Sequence, residues 1–144
     1  MPTVAHTPEA RAAANGIELC YDTFGERRDP PVLLIMGLAA QMIAWDDDFC
    51  SQLAERGRWV VRFDNRDIGK SSKMSGGKRL GAVELLKLRF LKIPVDAPYR
   101  LRDMAEDTIA LMDHLRIRSA HIVGASMGGM IAQEIALTFP ERVR

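Results

Sequence analysis

A chain of 144 residues, 47% of them hydrophobic, has the length and apolar content to form one domain around a buried core. Twenty lysine and arginine residues stand against nineteen aspartate and glutamate residues, and the formal charge of +1 excludes a nucleic-acid-binding protein that depends on an overall basic surface. No apolar run is long enough to span a membrane and the first residues lack the pattern of a secretory signal, so we expect a cytoplasmic protein without membrane association.

The first half of the chain predicts three strands and one helix behind a loosely held N-terminal segment. Residues 1–15 are polar and rich in alanine, and residues 17–24 alternate between apolar and polar, as in a half-buried strand. Residues 32–36 are continuously apolar, which is typical of a central strand covered on both faces. Two further elements follow, a helix with apolar residues at helical spacing and then a strand: Trp45, Phe49 and Leu53 for the helix, residues 59–63 for the strand.

The second half predicts an insert followed by a helix, a strand and another helix. Residues 73–99 mix basic residues with leucines, which suits either an ordinary surface insert or a lid whose apolar face lines an acyl pocket. A helix at a membrane surface is a further alternative. Residues 120–123 form a short apolar strand, and Pro140 closes the helix that follows it. The alternation of strands and helices predicts an α/β fold with a mostly parallel sheet. The helix after the insert carries an apolar stripe: Leu101, Met104, Ala105, Thr108, Met112 and Leu115.

The most informative motif is Gly-Ala-Ser-Met-Gly at residues 124–128, between a predicted strand and a predicted helix. In this context the pattern G-x-S-x-G places a serine on a tight, exposed bend where a base can reach its hydroxyl. The amide of Met127, at the helix N-terminus, is placed to donate to a developing oxyanion. The motif therefore predicts Ser126 as a nucleophile. The alternative is a chance occurrence of a short pattern with two glycines.

Three stretches of the sequence resemble the α/β-hydrolase superfamily. The first is the motif at residues 124–128, and the second is Met36-Gly37-Leu38 after the apolar strand, where the family places its oxyanion loop. The third is residues 64–72, Asp-Asn-Arg-Asp-Ile-Gly-Lys-Ser-Ser, which resembles the family's turn Asp-x-Arg-Gly-x-Gly-x-Ser. Met36 replaces a commoner histidine and Asp67 replaces a glycine. Within the superfamily the chain is most similar to small bacterial carboxylesterases of the aclacinomycin-methylesterase type.

This resemblance implies an α/β-hydrolase fold over nearly the whole chain, with Ser126 as the nucleophile and the backbone amides of Leu38 and Met127 as the oxyanion hole. It implies no metal and no organic cofactor. In the family an acid and a histidine follow the nucleophile along the chain, but eighteen residues follow Ser126 and none is a histidine. We therefore expect residues 1–144 to be the N-terminal half of one hydrolase domain, with its C-terminal half as partner.

The histidines and cysteines of the chain are expected to be structural. His6 falls in the N-terminal segment, His114 lies near a helix end, and His121 is on a strand about 16 Å before the nucleophile. Cys20 and Cys50 lack a metal-binding spacing and are expected to be free buried thiols.

The pattern as a whole favours hydrolysis of a small-molecule carboxylic ester by acyl transfer. The same elbow also supports enol-lactone or C–C bond hydrolysis, acyltransferase chemistry or perhydrolysis, which differ in the pocket and cap rather than in the nucleophile. A non-catalytic ligand-binding module on a hydrolase frame is the alternative from another class. A phosphate-binding loop at Gly69-Lys70-Ser71 and a dinucleotide fingerprint at residues 124–129 fit poorly, because each lacks a glycine that its pattern requires.

Overall fold

The computed structural model describes residues 4–74 and 97–144, which form one five-stranded sheet with helices on both faces. The insert predicted at residues 73–99 lies largely outside the described residues, and the lid hypothesis lies there with it. None of the helices within the described ranges is long and apolar enough to cross a membrane. The strands are β1 (His6–Ala14), β2 (Ile17–Phe24), β3 (Pro31–Ile35), β4 (Trp59–Phe63) and β5 (His121–Gly124), and the helices are α1 (Asp47–Glu55), α2 (Leu101–His114) and α3 (Met127–Thr138), with short 3-10 turns at Met42–Ala44 and Pro140–Arg142.

The sheet is mixed, with the order β1-β2-β4-β3-β5. β2 runs antiparallel to both of its neighbours, whereas β3 lies parallel between β4 and β5. Leu33 and Ile35 of β3 face the core under α2 and α3, while Val32 and Leu34 face the core under α1. Because both faces of β3 are covered, its sequence has no polar residue, as predicted. The predicted α/β fold is thereby confirmed, and its parallel part consists of β4, β3 and β5.

The expectation of a loose N-terminal segment is wrong, because residues 6–14 form a strand that pairs with β2. Ala14 pairs with Ile17, so the connecting loop is the two-residue turn Asn15-Gly16. Both turn residues have positive φ, 52° and 76°, which is typical of a type I′ hairpin turn. The strand is exposed along most of its length and buries only alanines near its end, so it carries no strong alternation in the sequence.

The prediction for helix α1 is confirmed in part. Its fully buried residues are Cys50 and Ala54, and the predicted Trp45 and Leu53 pack partly buried against the same core, whereas the predicted Phe49 is 42% exposed and Trp45 precedes the helix. The small side chains of the buried pair let the helix lie close to the sheet. Phe49 instead stacks on Trp45 outside the helix's buried face, with ring centroids 5.7 Å apart. The Asp46 side chain caps the helix N-terminus, as the acidic run before the helix suggests.

A buried ion pair joins two strands of the sheet, and its arginine also contacts an exposed carboxylate of α1. Arg62 of β4 is 2% exposed, and its guanidinium donates two hydrogen bonds to Asp22 of β2, of 2.7 and 2.8 Å. The same guanidinium lies 2.6 Å from the carboxylate of Asp47 in the first turn of α1. β2 was expected to be half-buried, but it is buried from Leu19 to Phe24. The polar Asp22 is accommodated in that buried run because Arg62 pairs with it.

Helix α2 shows the predicted apolar stripe on its buried face. Met104, Ala105, Thr108 and Met112 are at most 4% exposed, so the helical spacing located them correctly. Leu101, in the first turn, is 36% exposed and does not belong to the buried stripe. Together with α3, this helix covers the face of the sheet that is opposite α1.

Candidate active site

Three loops follow the carboxyl ends of neighbouring strands and meet at one edge of the sheet. β3 leads into Gly37 and Leu38, β4 leads into the turn of residues 64–72, and β5 leads into Ser126. An α/β sheet binds its ligands at this edge, so we take it as the candidate active site. The last residues of the three parallel strands are in register: Ile35, Phe63 and Gly124.

Ser126 occupies the bend between β5 and α3 in a backbone conformation that side-chain-bearing residues rarely adopt. Its φ is 53° and its ψ is −122°, and the residue is exposed. A positive φ strains a serine, and such strain persists only where the surrounding structure imposes it. Two glycines allow the bend: a Cβ on Gly124 would overlap the carbonyl of Gly128, and a Cβ on Gly128 would overlap the carbonyl of Ile35. The elbow is therefore as tight as the motif predicts.

The loop after β3 lies directly against this elbow. A Cβ placed on Gly37 would be 3.0 Å from the Cβ of Ser126 and 3.5 Å from its Oγ, so a glycine permits the approach. Within residues 4–74 and 97–144, neither the Leu38 amide nor the Met127 amide donates a hydrogen bond to another group. Gly37 and Ser126 are in contact, and the two amides belong to the residues that directly follow them, Leu38 after Gly37 and Met127 after Ser126.

The turn of residues 64–72 is organised around the buried carboxylate of Asp64. One carboxylate oxygen accepts a hydrogen bond from the Met42 amide at 2.8 Å, and the other accepts one from the Lys70 amide at 2.9 Å. Gly69 has a φ of 49°, and a Cβ there would overlap the Asp64 carboxylate. Asp64 thus holds both its own turn and the segment at Met42 that follows the loop after β3.

Asn65 is a site residue that the sequence motif does not reveal. Its side-chain amide donates to the Met36 carbonyl over 3.0 Å, and the residue is 3% exposed. The Met36 carbonyl belongs to the peptide that leads into Gly37, so this hydrogen bond holds the start of the loop after β3. The pattern Asp-x-Arg leaves the position of Asn65 open, which is why no signal in the sequence pointed to it.

Arg66 and Asp107 form a buried ion pair beneath the turn. The Nε and Nη2 atoms of Arg66 each donate to the Asp107 carboxylate at 2.6 Å, and the two residues are 6% and 2% exposed. Asn15 adds a 2.9 Å hydrogen bond to the same carboxylate. Hydrogen bonding to Asp107 raises the pKa of the Arg66 guanidinium above its ordinary value, so the arginine stays charged. The pair fastens the turn to helix α2.

Asp67 shows why the family's turn has a glycine at this position. Its φ of 67° lies in the left-handed region that favours glycine. The Asp67 carboxylate accepts a hydrogen bond from the Met74 amide at 2.6 Å. Burial, together with hydrogen bonding to this carboxylate, raises the pKa of Tyr99 to about 12. Asp67 therefore contacts the chain at Met74 and at Tyr99, two positions that are far apart in sequence.

The three histidines occupy structural positions away from the elbow, in agreement with the interpretation of the sequence. His6 lies on β1 rather than in a loose tail, and it stacks on Phe24 with ring centroids 4.1 Å apart. His114 contacts Tyr21 edge-on, with centroids 6.2 Å apart. His121 is the first residue of β5, at the amino end of the strand, whereas the elbow follows the carboxyl end of β5.

Both cysteines are buried free thiols, as predicted. Burial raises the pKa of Cys50 to about 11 and also raises the pKa of Cys20. A thiol that stays protonated at neutral pH is a poor nucleophile, which leaves the serine of the elbow as the better candidate. Among the residues that the structure describes, no group of three or more His, Cys, Asp or Glu side chains is arranged to hold a metal ion.

The sheet order and the strand–turn–helix elbow together define the class of the protein. The chain belongs to the α/β-hydrolase fold family, whose model matches residues 30–144. The match covers everything from the start of β3 onward, including the elbow and the turn of residues 64–72.

The chain is also similar in sequence to individual proteins whose activities are named. It is 32% identical over 136 residues to rhodomycin D methylesterase DauP from Streptomyces sp. strain C5, covering 94% of this chain and 40% of that protein. The resemblance to aclacinomycin-type methylesterases is thereby confirmed. The chain is also 30% identical over 129 residues to 3-oxoadipate enol-lactonase 2 from Acinetobacter baylyi, covering 90% of this chain and 40% of that enzyme.

Solved structures give the same result for the fold. The enol-lactonase from Burkholderia xenovorans LB400 superposes with a TM-score of 0.75 at 28% sequence identity, covering 94% of this chain and 44% of that one. The chain thus spans about 40% of the length of the curated relatives that it matches.

Proposed function

We propose that this chain is the nucleophile-bearing and oxyanion-bearing half of a serine hydrolase that cleaves carboxylic esters. The observation that carries the proposal is the strained, exposed backbone of Ser126 at a glycine-bounded elbow, with Gly37 seated against its side chain. A serine hydroxyl needs such exposure for a base and an ester carbonyl to reach it together.

In the proposed reaction Ser126 Oγ attacks the ester carbonyl carbon while a histidine accepts the hydroxyl proton. The backbone amides of Leu38 and Met127 donate hydrogen bonds to the oxyanion of the tetrahedral intermediate. The intermediate collapses to an acyl-serine, the alcohol leaves with the proton from the histidine, and a water molecule then releases the acid by the same steps in reverse. The histidine and its carboxylate partner come from the C-terminal half, because in this family both follow the nucleophile along the chain.

The proposed partner is therefore the C-terminal half of the same domain, and we call the two halves together the complete protein. β5 is the last strand in the sheet order among the described residues, and Ala120 forms a parallel bridge to Val143 beside it. Hydrogen bonds of 3.0 and 2.9 Å on either side of this bridge join Ala120 to Arg142 and Arg144. The chain thus begins a parallel strand next to β5, and a strand that continues there would cover the open edge.

Fluorophosphonate labelling of the complete protein tests the role of Ser126. We expect one covalent adduct on the peptide that contains Ser126, no adduct in Ser126→Ala, and unchanged labelling in Ser51→Ala, a control on helix α1. Labelling that persists in Ser126→Ala would place the nucleophile elsewhere. An absence of labelling in the folded wild-type protein would instead support a non-catalytic ligand-binding module.

Enol-lactone hydrolysis is the second candidate, because an enol-lactonase relative and an enol-lactonase structure both match nearly the whole chain. The two reactions share the elbow and differ in whether the leaving alcohol stays attached to the acid. Parallel assays of the complete protein on an open-chain methyl ester and on an enol-lactone separate them. We expect the larger kcat/KM on the methyl ester.

A further inference from the structure

The end of the sheet opposite Ser126 forms a concave surface. The amino ends of the parallel strands and the loops that precede them line a groove of about 420 Å³, with Trp59 at the start of β4 in its lining. Cavities that hold small ligands have volumes of about 300–1,000 Å³. This groove takes no part in the proposed ester cleavage, because the nucleophile lies at the other end of the strands.

The lining of this groove is strongly basic. It contains five exposed arginines and one acidic residue, Asp29, which leaves a surplus of four positive charges although the whole chain carries +1. Every ion pair among the described residues is made by a basic residue other than these five arginines. We call this surface the arginine groove, and its arginines are Arg27, Arg28, Arg116, Arg118 and Arg144.

Two of these guanidinium groups are already held in place. Arg27 donates to the Leu115 carbonyl over 2.6 Å and lies 5.5 Å from the ring centroid of Trp59. Arg144 Nε donates to the Ser119 hydroxyl over 3.2 Å. A guanidinium has five N–H donors, so each of these arginines keeps donors for a ligand after making its own contact.

Arg116 provides an independent observation, because its backbone conformation disfavours an arginine. It follows the end of α2 with a φ of 58°, at the position where helices usually end in glycine. Two backbone hydrogen bonds hold this turn. The Arg116 amide donates to the Asp113 carbonyl over 3.0 Å, and the Ile117 amide donates to the Met112 carbonyl over 2.8 Å. A strained residue that glycine would relieve is a reason to look for a role of its side chain.

We propose that the arginine groove binds a small molecule that carries two phosphate groups. Guanidinium groups match phosphate oxygens with pairs of parallel hydrogen bonds. Two phosphate groups bring about three to four negative charges at neutral pH, which balances the surplus of four in the lining. The volume of the groove and the partly fixed positions of Arg27 and Arg144 suit a compact ligand.

Calorimetric titration of the complete protein with sodium pyrophosphate, at fixed ionic strength, tests this site. We expect one molecule bound with a dissociation constant of about 1 mM or tighter. Arg118→Gln should weaken binding about tenfold, because it removes a charge-assisted contact. Arg11→Gln, which removes one arginine from β1, should leave the affinity unchanged.

Arg116→Gly is the sharpest variant, because it separates the role of the side chain from the stability of the fold. We expect about tenfold weaker pyrophosphate binding together with a melting temperature equal to or above that of the wild type. Equal affinity in Arg116→Gly and wild type would overturn the proposal. An equal response to sulfate at the same ionic strength, or tighter binding of a single-stranded oligonucleotide than of pyrophosphate, would overturn it as well.

Discussion

The elbow and the turn of residues 64–72 hold the loop after β3 from two sides, and they do so by opposite means. We call this loop, which contains Gly37 and Leu38, the Gly37 loop. The elbow depends on missing side chains, because the backbone of Gly128 meets the backbone of Ile35 where no Cβ fits. The turn depends on buried polar side chains, with Asn65 holding the Met36 carbonyl and Arg66 paired with Asp107. One added methyl group should break the first region, and one lost charge should break the second.

The largest effect is expected from Gly128→Ala in the elbow. The new Cβ would overlap the Ile35 carbonyl, and because this atom belongs to the backbone of β3 no side-chain rotation relieves the overlap. We expect a loss of more than about 4 kcal/mol in the free energy of unfolding, measured on the complete protein by chemical denaturation. Gly129→Ala is the matched control, because a Cβ on Gly129 would lie 3.5 Å from the Gly124 carbonyl oxygen, which is an ordinary contact distance. It should stabilise helix α3 by up to about 1 kcal/mol, and equal behaviour of the two variants would contradict the packing argument.

The turn should respond most strongly to Asp107→Ala. This variant leaves the buried guanidinium of Arg66 without its carboxylate, which we expect to cost about 3–4 kcal/mol of stability. Glu106→Ala, one residue earlier on α2, removes an exposed partner of Arg102 and should change stability by less than about 1 kcal/mol. Denaturant titrations of both variants measure the contrast, and a small loss in Asp107→Ala would show that the turn does not depend on the pair.

The Gly37 loop between the two regions should be sensitive through its backbone rather than its side chain. Leu38→Pro removes the proposed oxyanion donor and should lower kcat of the complete protein by about a hundredfold. Leu38→Ala keeps the amide, and the exposed side chain contributes little, so turnover should stay within about threefold of wild type. If both variants remain folded and have equal kcat, the Leu38 amide is not a donor.

The smallest effect concerns the ionisation of Tyr99 beside the turn. Burial and Asp67 raise its pKa to about 12, so the fold favours the neutral phenol over the phenolate. This stabilisation is complete below about pH 10 and is lost as the pH rises through 12. Ultraviolet difference titration of the wild type against Tyr99→Phe measures the value. Asp67→Asn should lower the pKa of Tyr99 while leaving it above 10, because burial is the larger cause.

The elbow was predictable from the sequence because its determinants are local. Two glycines around a serine, with an apolar strand before and a helix after, fit within a short stretch of chain and encode the bend directly. The turn was recognised as a pattern, but its contacts were not predicted. Arg66 and Asp107 are 41 residues apart, and nothing in either neighbourhood shows that they pair.

Elements that depend on distant contacts were also the ones predicted incorrectly. β1 has an exposed sequence without alternation, yet the Asn15-Gly16 turn returns it onto β2. Helix α1 buries Cys50 and Ala54 rather than Phe49, because the sheet accepts small side chains there. The formal charge of +1 likewise gave no sign that five arginines gather at one end of the sheet.

The proposed division of the catalytic residues between two halves is tested by hydrolysis of a p-nitrophenyl ester, measured for residues 1–144 alone and for the complete protein. We expect the complete protein to hydrolyse the ester and Ser126→Ala to abolish this activity. We expect residues 1–144 alone to show no Ser126-dependent hydrolysis beyond the roughly thousandfold over water that an oxyanion hole and binding retain without a triad. Turnover by residues 1–144 alone above that level, lost in Ser126→Ala, would show that the base lies within this chain and would contradict the proposal.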